Sequence, residues 1–419
     1  MGSLESDAPY AGKRQWDGTH QAASPLDLAF LGFVLVLATN TPRGLFELGG
    51  PPPILLQLLF TGFGGLMVLG RAVKERPILD GTSIGMLWPL LVWLLAWVIL
   101  STLGVLMSGL EPSVIDYYII RLKSPLILLL LLVGVSQLER KDLFPKVLAV
   151  AAVLNALIVI YDFFVPTFST VLNRAAGFFV NANGAGSALV LTMAAGLLGV
   201  PPRWRLAYVA LLTFAVVVTF SRSSWLALMM ATVILFWQGH VAFRRQRRVI
   251  GFVALSAIGL IGLSIVNGSL ADVVAATPLA DYLDENTLAR LGFGEFASDF
   301  SAEERRGAFV YSLETFRVTA NPILGEGLGH TIVWDYRVGP HNMFLLYLVE
   351  HGLVGLVFYL ALMGILIARS RGPGLVMALG VVMFSSFTHN QLDSRWRLAM
   401  IAFIVFSPLY LPEDRDRAS

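Results

Sequence analysis

Apolar residues fill this chain in long blocks, interrupted by short polar breaks and by one long mixed stretch around position 300. A helix needs about 20 mostly apolar residues to cross the roughly 30 Å hydrocarbon layer of a bilayer. On that criterion the pattern predicts twelve membrane helices, over residues 26–41, 53–70, 84–107, 119–136, 146–165, 184–200, 204–220, 223–238, 249–267, 341–367, 374–388 and 394–411. The stretch between Trp204 and Trp237 is too long for a single helix in that thickness, so it is divided at "FSRSS". Lysine and arginine set the orientation, because cytoplasmic loops retain them. With the N-terminus inside, fourteen fall in five short inner loops and seven in the outer connections and adjoining helix starts. Both termini are therefore expected inside, with tails over 1–25 and 412–419. Nine helices would occupy 26–267, a large outer loop 268–340, and three more helices 341–411. Within that loop Phe309, Leu313 and Phe316 recur at i, i+4 and i+7, the stripe of an amphipathic helix lying on the membrane or over the bundle.

Composition agrees and removes whole classes of function. The chain is 56% hydrophobic and 14% charged, with a mean hydropathy of +0.72, whereas a soluble domain is about a quarter charged. Net charge is +2 and no basic arm is interleaved with aromatics, so nucleic acid is not an expected partner. Cysteine is absent, which excludes disulfides, thiolate nucleophiles and Cys-ligated zinc together. Neither an HExxH nor a GxSxG motif occurs; "GEGLG" at 325–329 follows no strand, and "DRD" at 414–416 lies in a charged tail. No metal and no cofactor are expected.

The seven outer basic residues oppose the insertion bias, since a charge at the bilayer centre costs about 2.5–3.5 kcal/mol on insertion scales. Arg43, Arg395 and Arg397 are compatible with snorkelling to headgroups as well as with binding an anion. Arg174 and Arg222 sit among small residues at tight turns, in "NRAAGFFVNANGAG" and "TFSRSSWLAL", where anion binding is the stronger expectation. Arg121 and Lys123 face the same outer edge, and the loop adds Arg305 and Arg306. "PHNMFLLYLVEHGLVGL" opens on Pro340, which suits a helix start, so His341 and Asn342 would lie where free backbone N–H groups favour an anion. Asp393 lies in the last outer connection, "FTHNQLDSR". A histidine beside arginines and a carboxylate suggests a base held next to a bound polyanion.

These residues resemble the bacterial O-antigen ligase family. His341-Asn342, nine residues, then Gly352-Leu-Val-Gly355 resembles its signature, and "FSRSSWLA" its Ser-Arg motif. "R…Y…L…NPILGEGLG" resembles its loop motif and "R..GFF.NAN" its upstream element, over about residues 170–395. The resemblance implies an all-α polytopic membrane protein, a GT-C-like glycosyltransferase of about twelve helices with a large periplasmic loop, in the bacterial inner membrane. It implies metal-independent, inverting transfer of glycan from undecaprenyl diphosphate to lipid A–core. Its essential arginines fall on Arg222 and Arg306, its histidine on His341 and its late aspartate on Asp393, which could orient that ring or hold the acceptor. Glu350 matches an acidic residue before the GxxG and would share a helix face with His341. Arg174, Arg305, Asn342, Arg121 and Lys123 complete the expected substrate contacts. An O-antigen polymerase, which would use a lipid-linked glycan as acceptor, fits most of the same motifs. A protein O-glycosyltransferase would usually be longer. A lipid or solute transporter would place its polar groups near the midplane and often show internal repeats, and no repeat is evident here. Because the donor diphosphate carries the driving force, EDTA is expected to leave glycan transfer by the purified protein unchanged; strong inhibition would reveal a required metal.

Overall fold

The computed structural model describes residues 23–72, 81–170, 174–240, 300–319, 321–336, 338–388 and 392–411. The expected span over 249–267, residues 268–299 of the expected outer loop, His20, His389, residues 1–22 and the expected tail over 412–419 lie outside the described residues. Among the described residues the fold is all helical: α1 Pro25–Ala38, α2 Thr41–Glu47, α3 Pro53–Ala72, α4 Gly81–Met107 and α5 Pro112–Ser136, then α6 Leu143–Phe164, α7 Ala182–Gly196, α8 Arg205–Val217 and α9 Arg222–Trp237. After the undescribed stretch come α10 Phe300–Val318, α11 His330–Val333, α12 Met343–Arg369, α13 Pro373–Ser385 and α14 Arg395–Phe406.

Each predicted apolar block among these residues contains a helix, and the division at "FSRSS" falls where α8 ends and α9 begins. The expected number of crossings is a different matter. Among the described residues five helices are long and apolar enough to cross a membrane, six if α1 and α2, bent by 56°, form one span. Helices α8, α9, α13 and α14 have 13, 16, 13 and 12 residues. Hydropathy overran them because apolar residues continue past the helical backbone. Phe220 turns at φ 49°, and Ser407–Tyr410 winds into a 3-10 turn. The result is the architecture of a multi-pass membrane protein.

Helix α7 lies at the centre, with 13 of its 15 residues buried. Its glycines and alanines let neighbouring backbones approach, the usual device where lipid offers no hydrophobic drive between helices. A Cβ on Gly186 would stand 2.4 Å from the Ser224 hydroxyl oxygen of α9, and one on Gly196 2.5 Å from the Ala149 backbone of α6. Polar bonds tie the outer helices on: Asn155 donates to the Ala38 carbonyl at 3.1 Å, and Trp93 to that of Phe358 at 2.9 Å. By contrast α4 exposes Leu95, Ile99, Leu103 and Leu106, as a lipid-facing surface requires.

Helix α12 is broken at Gly352, which takes φ 62° and ψ −154°. In an unbroken helix the amides of Leu353 and Val354 would bond the carbonyls of Val349 and Glu350. Here all four groups turn to the segment after α10. Glu326 and Gly327 donate their N–H groups to the Val349 and Glu350 carbonyls, both at 2.9 Å. Pro322 and Ile323 offer their carbonyls to the Leu353 and Val354 amides, at 3.0 and 3.1 Å. The same segment is pinned to α4, where the Leu328 N–H donates to the Gly104 carbonyl at 3.0 Å and the Ser108 hydroxyl to the Leu328 carbonyl at 2.6 Å. The GxxG of the signature is thus the break itself. The glycine-rich "GEGLG" is the plug that fills it, rather than a nucleotide loop or a free hinge.

On α10 Ala308 and Ser312 are fully buried, and of the apolar stripe Leu313 and Phe316 are half-buried while Phe309 is exposed. Tyr311 stacks on Tyr336 at 5.0 Å and meets Trp334 edge-on at 5.1 Å, which fixes the helix from its other end.

Gly352→Ala combines a backbone conformation open essentially to glycine with a Cβ 2.4 Å from the Ile323 carbonyl carbon. It is expected to destabilise the protein by about 3 kcal/mol or more. Gly364→Ala, in the same helix with nothing within 4 Å of the added carbon, should be close to neutral. Thermal unfolding in detergent distinguishes the two, and equal stability would show that the break is not strained.

Candidate active site

The site is assembled where α1, α5, α7, α9, α12, α13 and α14 all present the ends predicted to lie on one side. Its foundation is Asp162, near the end of α6. This buried carboxylate accepts four backbone N–H groups: those of Thr167 and Phe168 at 2.8 and 2.7 Å, and those of Ala176 and Gly177 at 2.8 and 2.9 Å. It thereby folds the connection to α7 onto the end of α6. Arg174 leaves that connection and is 6% exposed. It donates to the Thr219 and Phe220 carbonyls at 3.2 and 3.4 Å and to the Asn183 side chain at 2.9 Å. Much of its guanidinium therefore holds the turn from which α9 starts. Asn181 caps α7 by accepting the Asn183 and Gly184 amides at 2.9 and 3.3 Å.

His341 sits outside α12, in a left-handed turn with φ 49°. The helix starts at Met343, later than Pro340 suggested, and Asn342 is its cap. The Asn342 side-chain oxygen accepts the Phe344 and Leu345 amides at 2.9 and 3.1 Å, while its nitrogen donates to the Ser386 carbonyl at 3.4 Å. Two of the N–H groups expected to meet an anion are thus engaged by the protein. Glu350 does not share a face with His341 at the site. It is buried, its carboxylate accepting a 2.7 Å bond from the Thr331 hydroxyl, and the adjoining His351 ring packs 5.8 Å from that of Tyr347.

Arg121 is also displaced from its expected role. It is 2% exposed and lies 3.6 Å from the Asp393 carboxylate, in contact with the Tyr117 hydroxyl and 3.4 Å from that of Tyr347. It braces Asp393 from behind. Arg397 stacks on the Trp396 ring at 4.7 Å and donates weakly to the Ser394 and Ser187 hydroxyls at 3.4 and 3.5 Å.

Between these elements lies a cavity of about 900 Å³. Arg43, Lys123, Arg174, Arg305, Arg395 and Arg397 line it together with His341, against two carboxylates, Glu304 and Asp393. Of the expected residues, the fold brings Lys123, Arg174, Arg305, His341 and Asp393 to one hollow. Arg121, Asn342, Arg222 and Arg306 are not among its lining. Arg222 and Arg306 are exposed, each adjoining a lining residue, Ser223 and Arg305 respectively. The starts of α7, α9, α12 and α14 also converge here, each carrying a partial positive charge. The lining thus combines six cationic side chains and an imidazole with two carboxylates. Among the described residues no three His, Asp or Glu side chains gather to hold a metal ion.

Residues 207–360 match the family model described as O-antigen ligase, Wzy_C. That stretch of the chain is similar to the family's domain. No curated protein matches the chain. The matched region runs from α8 into α12 and includes Arg222, Arg305, Arg306 and His341, whereas Arg121, Lys123, Arg174 and Asp393 lie outside it.

Asp162 was not anticipated from the sequence, although a lone acid in "IVIYDFF" at the end of an apolar block is a usable signal. Asp162→Asn turns an NH₂ group toward two of the four amides. A loss of about 2–3 kcal/mol is expected, read as a lower denaturation midpoint; unchanged stability would mean that the connection holds itself.

Proposed function

We propose that the chain is an O-antigen ligase, moving glycan from undecaprenyl diphosphate to the lipid A–core of lipopolysaccharide at the periplasmic face of the inner membrane. The observation that carries this reading is the meeting of His341 with Arg174, Arg305 and Asp393 around one cavity at the end of the bundle. In the reaction an acceptor hydroxyl attacks the anomeric carbon while its proton passes to the His341 imidazole. A neutral histidine suits this task, with a reference pKa near 6.5. The bond from the anomeric carbon to the phosphate oxygen breaks, its electron pair leaves with undecaprenyl diphosphate, and the anomeric centre inverts.

Charge grows on the diphosphate as that bond lengthens. Guanidinium groups placed in advance stabilise it with paired N–H donors in a planar fork, a geometry lysine lacks. Arg305 supplies this from inside the cavity, and Arg222 and Arg306 from the rim beside Ser223 and Arg305. Asp393, braced by Arg121, orients the acceptor. A transferase of this kind needs no nucleotide, because the donor is already activated.

The decisive assay mixes purified protein with a lipid-diphosphate glycan and lipid A–core. Transfer to lipid A–core supports the ligase. Chain lengthening on the lipid-linked glycan instead would make the protein a polymerase, and flux without transfer would make it a transporter. His341→Ala is expected to abolish transfer while the protein still inserts and elutes as a single species. Arg222→Lys should lower the rate by about 100-fold, the loss expected for one charge-stabilising donor. Near-normal transfer by the alanine variant would remove the base, and full activity with lysine would reduce Arg222 to a point charge.

A further inference from the structure

The segment that fills the break in α12 carries apolar side chains on its outside. Pro322, Ile323 and Leu324 are exposed in succession, Ile323 by 59% and Leu324 by 39%. The hydropathy pattern assigns them to a loop in water. Contiguous exposed apolar surface, unlike a scattered single residue, marks contact with a partner or a membrane.

What the patch adjoins decides between these. Leu353 and Val354 donate their N–H groups to the Pro322 and Ile323 carbonyls, so the patch lies beside α12 just past the break. There α12 exposes Leu353, Val354, Val357 and Leu360, which share one helix face. This helix is long and apolar enough to cross a membrane. The patch thus continues a strip that faces lipid. Its level agrees: from Leu353 to Arg369 the helix rises about 25 Å at about 1.5 Å per residue, against roughly 30 Å of hydrocarbon. With Arg369 at one edge, Leu353 lies just inside the other. Gly104, which accepts the Leu328 amide, is likewise in the last turn of α4.

A non-helical segment enters hydrocarbon only where its backbone groups are paired. Pro322 has no N–H to pair. Asn321 takes the Leu324 amide with its side-chain oxygen at 3.0 Å and the Gly325 amide with its carbonyl at 2.7 Å. The Pro322 and Ile323 carbonyls and the Glu326 and Gly327 amides are bonded to α12. Polar residues bracket the patch and limit its depth. Glu314 and Arg317 are exposed on α10 before it, and Glu326 is half-buried after it. A carboxylate is costly in hydrocarbon, so insertion stops where headgroups give way to acyl chains.

We infer that Pro322, Ile323 and Leu324 form a wedge set into the edge of the bilayer on the cavity side, covered by phospholipid. The wedge ties to the membrane the same length of chain that carries Arg305 before it and His341 after it.

The chain has no cysteine, so Ile323→Cys and Leu324→Cys each create a single site for a nitroxide label in the full-length protein. In phosphatidylcholine–phosphatidylglycerol nanodiscs holding one copy, both labels should collide several-fold more with lipid-soluble oxygen than with a water-soluble nickel chelate. That is the pattern expected of Val357→Cys on the lipid face of α12, and the reverse of that at Glu314→Cys on α10. Labels that follow the Glu314→Cys pattern lie in water and overturn the wedge. Labels shielded from both reagents are covered by protein, which overturns it as well. The unaltered protein gives a second reading that needs no variant. A phospholipid with a photoreactive group near the start of its acyl chain should mark the peptide containing Pro322–Leu324. Marking of the Val357 peptide without that one overturns the inference even if both cysteine variants fail to fold.

Discussion

Backbone polar groups cannot be left unpaired in hydrocarbon, where each costs several kcal/mol, and the break in α12 exposes four of them at once. The segment 322–327 answers with two amides and two carbonyls, in a reciprocal pairing that replaces the interrupted helical bonds. This pairing fixes more than the helix. Arg305 lies on α10, just before the docked segment, and His341 just after it, so one set of backbone bonds anchors the chain on which both are carried. The signature glycines act through backbone geometry: Gly352 makes the break, and Gly325 approaches it so closely that a Cβ would stand 2.5 Å from the Gly352 nitrogen.

Some of the charged residues hold the site together and others line its cavity. Asp162 spends both carboxylate oxygens on backbone amides, and Arg174 spends most of its donors on the turn before α9. Arg121 is enclosed by Tyr117, Tyr347 and Asp393. These three residues hold in place the segments around the cavity. Lys123, Arg305, Arg395 and His341 line it from separate helices and turns, which suits a transferase that must bring two glycans together while excluding water from the bond between them.

The family match over residues 207–360 is in keeping with lipid-linked glycan chemistry, and under the proposed function the cavity is where that chemistry would take place. Under the proposed function, ligase and polymerase share a donor and differ in acceptor, so the distinction between them lies in the acceptor's contacts with the cavity.

Much of this was legible in the one-dimensional pattern. Apolar periodicity located the helices, the polar "FSRSS" separated α8 from α9, and the basic bias gathered the proper connections at one end. Motif spacing pointed to His341 and Arg305, which line the cavity, and to Arg222 and Arg306, which adjoin its lining residues. What could not be read was the use to which each polar group is put. Asn342 became a helix cap, Arg121 a brace and Arg174 largely a clamp, while Glu350 turned to Thr331. The sequence determined which residues pay a penalty for entering an apolar medium, because that penalty belongs to the side chain itself. Only the tertiary structure decided what relieves it, since a hydrogen bond depends on where a second group, often more than a hundred positions away, comes to rest.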